Sequence, residues 1–556
     1  DLAKNMKNNP RNFYSYLNQR KRTGNRIGPI RRPDGKLLED DKDMANAFNA
    51  VFSSVFQIGP DVDEGLIAKV FDENIHEKLE FISFSTDLIH KKNMSLKYHS
   101  APGPDGISPI FLKAGADEVC VPLSLIFEKS MQEGVLPLSW KLTNITPIHK
   151  KGRKDVPENF RPINVCSVPC KIMEGIIKDA LLLHLQENDL LLPSQHGFIP
   201  GRSCTTNLLT YLNEVTSALD NGIPYDVIML DFRRAFDVVP FQHMLKQLEA
   251  HGVGGPLLKW LSNWTQQRQQ RVVLNGKNSD WAEVISSVVQ GSVLGPILFV
   301  IFINSMDMVL TDPHTKVHKY ADDSKISRRI RNQDDSTALQ TSLDQVCMWA
   351  KKSGMQLHPD KSIVMHFGFN NPRHTYTIDG VPVKNDETAR DLGVLLNEKC
   401  TPVEHVNSVV KKANQVLGQL KRTIISRDRD TISKIYKSYV RPIVESAVPA
   451  WSPWTSGEIQ QIEKVQRKAT RLVHSIGAKT YEERNAICEL PSLESRRMRG
   501  DMIMTFQIMN GITKINPDEL FNFTRNRHDV NTRSYSANSL VIERARLDIR
   551  KFFFSN

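Results

Sequence analysis

The spacing of hydrophobic residues changes along the chain and predicts a mixture of helices and strands. Helical spacing runs through "DKDMANAFNAVFSSVF" (41–56) and "VPLSLIFEKSMQEG" (121–134). Strands are predicted at "TNITPIHK" (143–150) and at the apolar "YDVIMLDF" (225–232), which is followed by a helix at "FQHMLKQLEAHG" (241–252). Helices and strands therefore alternate from about residue 120.

Beyond about residue 397 the pattern changes to amphipathic helices. The segments "VNSVVKKANQVLGQLKR" (406–422) and "SGEIQQIEKVQRKATRLVH" (456–474) each place apolar residues on one face, and Ser456 is predicted to cap the second helix. The predicted buried face of the first helix comprises Val406, Val409, Val410, Ala413, Val416, Leu417 and Leu420. The polar side of the second carries Lys464, Arg467, Lys468 and Arg471.

Carboxylates stand where two of the predicted strands end. Asp231 closes the apolar strand, and Asp322 and Asp323 lie in "VHKYADDSKI" (317–326), which resembles the tip of a hairpin. If both strands share a sheet, Asp231 and Asp322 face each other with Asp323 nearby, and such a cluster of anions requires cations. Oxygen ligands of this kind suit Mg²⁺, and two such ions can promote the phosphoryl transfer of nucleotide polymerisation.

The alternative for these carboxylates is local. Asp favours turns and helix starts, so Asp231 alone fits a helix cap or a loop residue. The chain has two further Asp pairs, at Asp40/Asp41 and Asp334/Asp335, and we interpret these as surface turns.

The charge of the chain is concentrated towards its end. The 556 residues carry a net charge of +11, and residues 397–556 hold 27 Lys and Arg against 17 Asp and Glu, a net of +10. A basic lobe beside a nearly neutral one is typical of proteins that bind polyanions. The alternative is a basic helical domain whose charges are merely solvated.

Other features narrow the class of protein. The longest apolar run, "VLGPILFVIFI" (293–303), is shorter than the roughly 20 residues that cross a bilayer, so we expect no membrane association. The seven cysteines are scattered, which favours a reducing compartment, and we expect Cys166 and Cys170 to be structural and no zinc site to be present. Because the chain begins with Asp1, we interpret it as a fragment of a larger protein.

Several motifs in a fixed order resemble those of the reverse transcriptase family, in its non-LTR retrotransposon (LINE) branch, nearest to jockey-like and chicken-repeat-like elements. The motifs are "MLDFRRAFD" (229–237), "QGSVLGP" (290–296), "YADD" (320–323), "LHPDKS" (357–362) and "RDLGVLL" (390–396). Upstream, "SAPGPDGIS", "WKLTNITPIHKKGRKDVPENFRPI" and "QHGFIPGRSCTTNLL" resemble the fingers segments of this branch. Their order makes the resemblance specific, whereas "YADD" alone would not.

The resemblance implies an α+β fold, a right-hand polymerase with fingers, an antiparallel-sheet palm and a helical thumb, followed by a basic α-helical C-terminal region. The implied divisions are a linker downstream of a missing endonuclease (1–60), a fingers-associated region (61–130), fingers and palm (131–396), thumb (397–480) and a C-terminal helical region (481–556).

The resemblance also assigns the catalytic roles. Asp231, Asp322 and the Phe232 carbonyl would bind two Mg²⁺ ions, with Mn²⁺ as a possible substitute, and Asp323 would be the third catalytic carboxylate. Phe236 stands where the family has a bulky ring that excludes the 2′-hydroxyl of a ribonucleotide. Its alternative is an ordinary core phenylalanine.

Further roles concern the nucleotide and the primer. Lys150 and Arg161 would bind the triphosphate, although Lys151 could replace Lys150. Gln290 and Gly291 would lie against the nucleotide and template, and Lys361 would protonate the departing pyrophosphate. The segment "DLGVLL" resembles the primer grip, a hairpin that holds the growing 3′ end.

The implied function is RNA-directed DNA synthesis from dNTPs on the element's own RNA, primed by a target DNA end. It implies work in the nucleus for integration and in the cytoplasm for assembly with RNA, with the oligomeric state open. Two alternatives remain: an inactive or domesticated copy that binds RNA without polymerising, and a reverse transcriptase like a group II intron maturase. Near the end, Arg496, Arg497 and Arg499 either contact RNA phosphates or form a solvated face.

Overall fold

The fold is taken from a computed structural model that describes residues 26–32, 34–63, 65, 67, 77–289, 291–524 and 539–556. The helices, numbered in chain order, are α1 Asp41–Ser53, α2 Thr86–Ser95, α3 Pro109–Ala114, α4 Ala116–Glu133, α5 Leu138–Lys141, α6 Val168–Glu187, α7 Cys204–Asp220, α8 Ala235–Val238, α9 Phe241–Ala250, α10 Gly255–Thr265, α11 Gly295–Met308, α12 Gln333–Lys352, α13 Val403–Thr423, α14 Arg429–Ile435, α15 Arg441–Glu445, α16 Ser456–Thr470, α17 Tyr481–Cys488, α18 Leu493–Met509, α19 Pro517–Leu520 and α20 Asp548–Lys551.

The strands are numbered in the same way. They are β1 Ile30–Arg31, β2 Leu37–Leu38, β3 Leu142–His149, β4 Phe160–Cys166, β5 Tyr225–Leu230, β6 Arg268–Leu274, β7 Lys277–Asn278, β8 Ala282–Val284, β9 Lys316–Tyr320, β10 Asp323–Arg329, β11 Ile363–Phe367, β12 Thr377–Ile378, β13 Val381–Pro382, β14 Lys384–Asn385, β15 Thr388–Asp391 and β16 Val394–Asn397. Helices and strands of this kind form an α+β fold, as the family resemblance implies.

The apolar strand β5 lies at the centre of the main sheet, whose order is β14-β11-β5-β10-β9. It is antiparallel to both neighbours, with Leu230 opposite Ser324 on β10 and Met229 opposite Ile363 on β11. Side chains alternate between the two faces of a strand. Ile228 and Leu230 accordingly join one hydrophobic core, while Tyr225 and Val227 join another. Burial on both faces explains why β5 is apolar throughout.

A second sheet carries the strand predicted from "TNITPIHK". Its order is β4-β3-β6-β7, with β8 also paired to β6, and β3 and β4 form an antiparallel hairpin. Helix α1 covers this sheet, where Phe48 packs with Phe160 and Val272 in a third core. The helix predicted near the start of the chain is therefore part of the folded body.

The long apolar run in the sequence forms α11, which is buried on nearly every side. Trp349 of α12 packs beside it and donates its indole N–H to Ser305 at 3.0 Å. Within the part of the chain that the structure describes, no helix is both long and apolar enough to span a bilayer.

The helices after residue 397 follow the predicted pattern. On α13, Val406, Val409, Ala413, Leu417 and Leu420 are buried and face the second core.

One detail of the next long helix was wrong, because the N-cap of α16 is Thr455 and not Ser456. The Thr455 hydroxyl accepts a hydrogen bond from the Glu458 N–H at 3.3 Å.

The two remaining Asp pairs are not plain surface turns, and that interpretation was wrong. Asp40 caps α1 by accepting the backbone N–H groups of Lys42 and Asp43. Asp335 lies buried in the first turn of α12 and forms an ion pair with Arg328 at 2.7 Å. Carboxylates stabilise helix N-termini because the unpaired N–H groups there carry partial positive charge.

A buried ion pair joins the hairpin β9–β10 to the hairpin β15–β16. Lys325 on β10 and Asp391 on β15 form a salt bridge with only 4% and 7% of their side chains exposed. The Lys325 ammonium also lies 4.5 Å from the centre of the Tyr211 ring on α7. Because an unpaired charge is costly to bury, this pair fixes the distance between the two hairpins.

Removing one partner of this pair should destabilise the protein more than removing both. Lys325→Met leaves Asp391 buried without a counterion, and we expect a loss of about 3–5 kcal/mol in unfolding free energy. Lys325→Met combined with Asp391→Leu should recover most of that loss, because it removes the stranded charge. Calorimetric unfolding of the wild type and both variants measures this, and equal melting temperatures for the wild type and Lys325→Met would contradict it.

Candidate active site at the end of the central strand

The predicted carboxylates gather at one edge of the main sheet. Asp231 directly follows β5, and Asp322 lies in the turn between β9 and β10, next to Asp323. Because Ser324 pairs with Leu230, the end of β5 and the hairpin turn meet at the same edge. The turn is tight, since Ala321 has a positive φ of 58°. The sheet therefore brings together the pair of positions that the sequence predicted to face each other.

Burial and mutual repulsion alter the acidity of these groups. The pKa of Asp322 is raised, chiefly by burial and further by the charge of Asp231, while Arg161 and Lys150 oppose the shift. The pKa of Asp323 is raised to about 6 by burial and by the charges of Asp322 and Asp391. Protons or cations therefore bind this edge favourably.

The backbone beside Asp231 orients a further oxygen towards the hairpin. The Asp231 carbonyl accepts the His358 N–H at 2.8 Å, and the Arg233 N–H donates to the Gln356 carbonyl at 2.8 Å. Phe232 lies between these bonded residues, opposite Leu357. Since the N–H and C=O groups of successive strand residues point to opposite sides, the Phe232 carbonyl is directed away from Leu357, towards the side of β10.

Basic side chains surround the two facing carboxylates. The Lys361 ammonium lies 3.7 Å from the Asp231 carboxylate, and both side chains are partly exposed. Arg161 lies on β4 opposite Ile148 of β3, and the Lys150 N–H bonds to the Asn159 carbonyl at 2.8 Å. Burial lowers the pKa of Lys150, with the charge of Arg161 as the next cause. The predicted Lys150, Arg161 and Lys361 thus lie around one acidic centre.

Phe236 follows Asp231 by five residues and lies on the short helix α8, which begins after Arg234 in the left-handed conformation. Its ring stacks on Phe299 of α11 at 4.3 Å and meets the edge of Phe198 at 6.4 Å. Phe236 is half-buried, so part of the side chain packs in the core and part remains exposed.

Gly291 has a structural reason to lack a side chain. Its φ is +113°, and a Cβ there would lie 2.5 Å from the Asn164 carbonyl of β4. The buried Glu174 holds the same loop by accepting the Val293 N–H at 2.7 Å. The predicted Gln290 lies outside the described residues.

The candidate metal ligands do not form a closed site. Among the described residues, no three His, Cys, Asp or Glu side chains converge closely enough to enclose a metal ion. Two carboxylates and a backbone carbonyl instead line one edge, with cationic side chains nearby. Hard cations such as Mg²⁺ keep several waters and take the remaining oxygens from substrate phosphates, so this set fits such an ion.

Two of the three C-terminal arginines do not fit either alternative proposed for them. Arg496 forms an ion pair with Glu445 of α15, and Arg497 is buried, so neither is a solvated face residue or an available phosphate contact. Arg499 is exposed. The sequence missed the Glu445 pair because the two residues are far apart along the chain.

Sequence reasoning also missed two contacts of the hairpin β9–β10, the ion pair of its Lys325 with Asp391 and the hydrogen bond of its Ala321 with Gln195. The alternation of β10 offered one signal, because Lys325 lies two residues after Asp323 and on the same face. No local pattern marks Gln195 as a contact of this turn.

Comparisons with known proteins match a family over a segment that includes this site. Residues 148–416 match the family described as Reverse transcriptase (RNA-dependent DNA polymerase). The chain is 26% identical over 385 residues to the Drosophila melanogaster "Probable RNA-directed DNA polymerase from transposon X-element", covering 67% of this chain and 42% of the relative. A protein described as from transposon BS of the same species is 24% identical over 468 residues, covering 80% and 51%.

The "RNA-directed DNA polymerase from mobile element jockey" of Drosophila melanogaster is similar as well. It is 24% identical over 392 residues, which cover 68% of this chain and 42% of the relative. The chain thus spans about half the length of the curated relatives it matches.

The raised pKa of Asp323 predicts how the stability of the metal-free protein depends on pH. Between its ordinary value of 3.8 and the folded value of about 6, the folded state keeps a proton that the unfolded state has released. Stability therefore falls as the pH rises through this window. The change should be modest, because solvent reaches Asp323 and screens its neighbours.

Thermal unfolding in chelator from about pH 4 to about pH 7 measures this dependence. Asp323→Asn should flatten the slope, whereas Asp334→Asn, at an exposed position outside the cluster, should keep it. An unchanged slope in Asp323→Asn would count against the shift.

Proposed function

We propose that this chain, which carries a reverse transcriptase domain of the jockey-like non-LTR retrotransposon type, extends a DNA primer end with dNTPs on the RNA of its own element. The observation that carries the proposal is the meeting of Asp231 and Asp322 at one sheet edge, with Lys150, Arg161 and Lys361 around them.

The parts of the fold take the following roles in the proposal. The main sheet with α7 and α11 is the palm, and the sheet formed by β3, β4 and β6 with its covering helix is the fingers. Helices α13 to α16 are the thumb, followed by a C-terminal helical region. Work in the nucleus during integration and in the cytoplasm during assembly with RNA belongs to the same proposal.

The chemistry divides between the carboxylates and the basic residues. Asp231, Asp322 and the Phe232 carbonyl would bind Mg²⁺, or Mn²⁺ in its place, and Asp323 would add negative charge beside them. When bound, the metal ions would activate the primer 3′-hydroxyl and neutralise phosphate charge. The chain itself binds and orients the nucleotide, which requires side chains that reach its phosphates.

Lys150 and Arg161 would hold those phosphates. Arg161 can bond two phosphate oxygens at once, and Lys150 supplies a single point charge. Lys361, 3.7 Å from the Asp231 carboxylate, would hold a proton at its ammonium for the departing pyrophosphate. Gln290 and Gly291 would line the nucleotide and template.

The thumb helices offer a surface for a nucleic-acid duplex. On α13 the residues that line a shallow surface depression are all polar, basic or glycine: Asn414, Gln415, Gly418, Gln419, Lys421 and Arg422. Glu404 is the single acidic residue of that helix. Amides and cations on one face suit sugar and phosphate contacts. The hairpin β15–β16, adjacent in sequence, would hold the primer end.

Primer extension on RNA and DNA templates tests the proposed activity. The wild type should incorporate dNTPs on a primed RNA in the presence of Mg²⁺. Asp322→Asn should lower the rate by at least about 1,000-fold, because a metal ligand and its charge are lost.

Asp334→Asn is the matched control and should keep full activity. Full activity in Asp322→Asn would refute the site, and salt-sensitive RNA binding without extension in the wild type would favour the inactive RNA-binding copy.

Sugar selection tests the role of Phe236. Phe236→Ala removes the ring that would clash with a 2′-hydroxyl, so the ratio of kcat/KM for dNTP over rNTP should fall by about 100-fold or more. Phe299→Leu, which removes the stacked neighbour and keeps the Phe236 ring, should change the ratio far less. An unchanged ratio in Phe236→Ala would make Phe236 an ordinary core residue.

A further inference from the structure

The segment of residues 194–197 runs beside β9 like an additional strand. The His196 N–H donates to the Lys319 carbonyl at 2.8 Å, and the Lys319 N–H donates to the Ser194 carbonyl at 2.7 Å. This segment opens the motif "QHGFIPGRS", to which the proposed function assigns no role. It extends the main sheet next to the hairpin that carries Asp322.

Gln195 connects this segment directly to the catalytic turn. Its side chain is fully buried, and its Oε1 accepts two hydrogen bonds, from the Gly197 N–H at 2.8 Å and from the Ala321 N–H at 2.9 Å. Ala321 is itself buried and has a positive φ of 58°. A non-glycine residue in that conformation persists only where its surroundings hold it, and Gln195 is the side chain that bonds its N–H.

Gly197 brings the backbone of the segment against the same turn. A Cβ at Gly197 would lie 2.4 Å from the Ala321 nitrogen, so no larger residue can occupy the position without moving the turn. This close contact keeps the Ala321 N–H directed at Gln195. It also fixes the plane of the peptide group that contains this N–H. The direction of the Asp322 carboxylate follows, because Asp322 is the next residue.

The segment of residues 194–197 is also bonded to α11. The Lys319 ammonium is buried and lies 2.5 Å from the Asp307 carboxylate of α11, which also accepts the Ser194 hydroxyl. Ser194 and Lys319 are thus tied to one carboxylate as well as to each other. The segment cannot shift without breaking this buried network.

We propose that Gln195 is a positioning residue, which holds the peptide of Ala321 and so aims the Asp322 carboxylate at the metal and nucleotide. Gln195 does not touch the substrate. Its effect on catalysis rests on the proposed function, whereas its effect on the turn does not.

The amide of Gln195 allows a clean substitution. Its Nε2 has no hydrogen-bond partner among the residues that the structure describes, so only the oxygen matters. Gln195→Glu keeps an acceptor at the same length, and at a fully buried site its carboxyl stays protonated and neutral, whereas Gln195→Met keeps the length and loses the acceptor. If Gln195→Met does not fold, Gln195→Asn replaces it, because its amide ends one bond short of Ala321.

Hydrogen exchange of the metal-free protein tests the contact itself. In the wild type and in Gln195→Glu the Ala321 amide should be protected, and in Gln195→Met a peptide spanning the turn should lose that protection. This readout needs neither metal nor activity. Unchanged protection in Gln195→Met would overturn the proposal, whether or not the chain polymerises.

Kinetics and metal binding test the consequence. Gln195→Met should lower kcat by about 100-fold, because small displacements of a reacting group have effects of that order, and should leave the KM for dNTP nearly unchanged. It should also weaken Mn²⁺ binding measured by electron paramagnetic resonance. Gln195→Glu should recover kcat and Mn²⁺ binding.

Gln270→Met is the matched control. Gln270 on β6 of the second sheet is also buried, and its side-chain amide donates to Asn49 and Ser53 of α1 instead of to the turn. It should lower the melting temperature comparably and leave kcat and Mn²⁺ binding unchanged. An equal loss of kcat in Gln195→Met and Gln270→Met, with Mn²⁺ binding intact in both, would reduce Gln195 to a structural residue.

A wild type that binds Mn²⁺ but extends no primer would refute the proposed function alone.

Discussion

Repulsion between Asp231 and Asp322 is the constraint on which the rest of this structure depends. Two partly buried carboxylates approach each other only if the surrounding fold forces them together. The end of the central strand β5 supplies one, a tight hairpin supplies the other, and Arg161 and Lys150 from the β3–β4 hairpin and its turn reduce the cost. The sheet therefore holds together two carboxylates whose charges oppose their approach.

The sequence predicted those features that depend on local spacing. Strand β5 follows from its continuous apolar run, the hairpin at Asp322 from the short segments that flank the Asp pair, and the buried face of α13 from its helical period. The roles of Phe236 and Arg161 came from the ordered motifs, since no spacing marks a sugar-selecting ring. Arg161 lies near enough to Asp322 to lower its pKa, and the roles of both residues stay predictions.

Other features could not be predicted, because they depend on contacts between distant residues. Lys325 and Asp391 are 66 positions apart, and Gln195 and Ala321 are 126 apart. In each pair, the two residues become neighbours only when the chain folds. The same reason accounts for Arg496, whose charge is neutralised by Glu445. A net charge counted along the sequence therefore overstates the positive surface available to a polyanion.

The buried pair of Lys325 and Asp391 also has a consequence for the order of folding. When synthesis of the hairpin β9–β10 has just finished, Lys325 is present but its counterion Asp391 has not yet been made. Strand β11, which pairs with the other edge of β5, is also still missing. The nascent sheet then exposes an unpaired edge and an uncompensated charge, so its completion must await the hairpin β15–β16. Translation through that interval therefore leaves the chain open to misfolding.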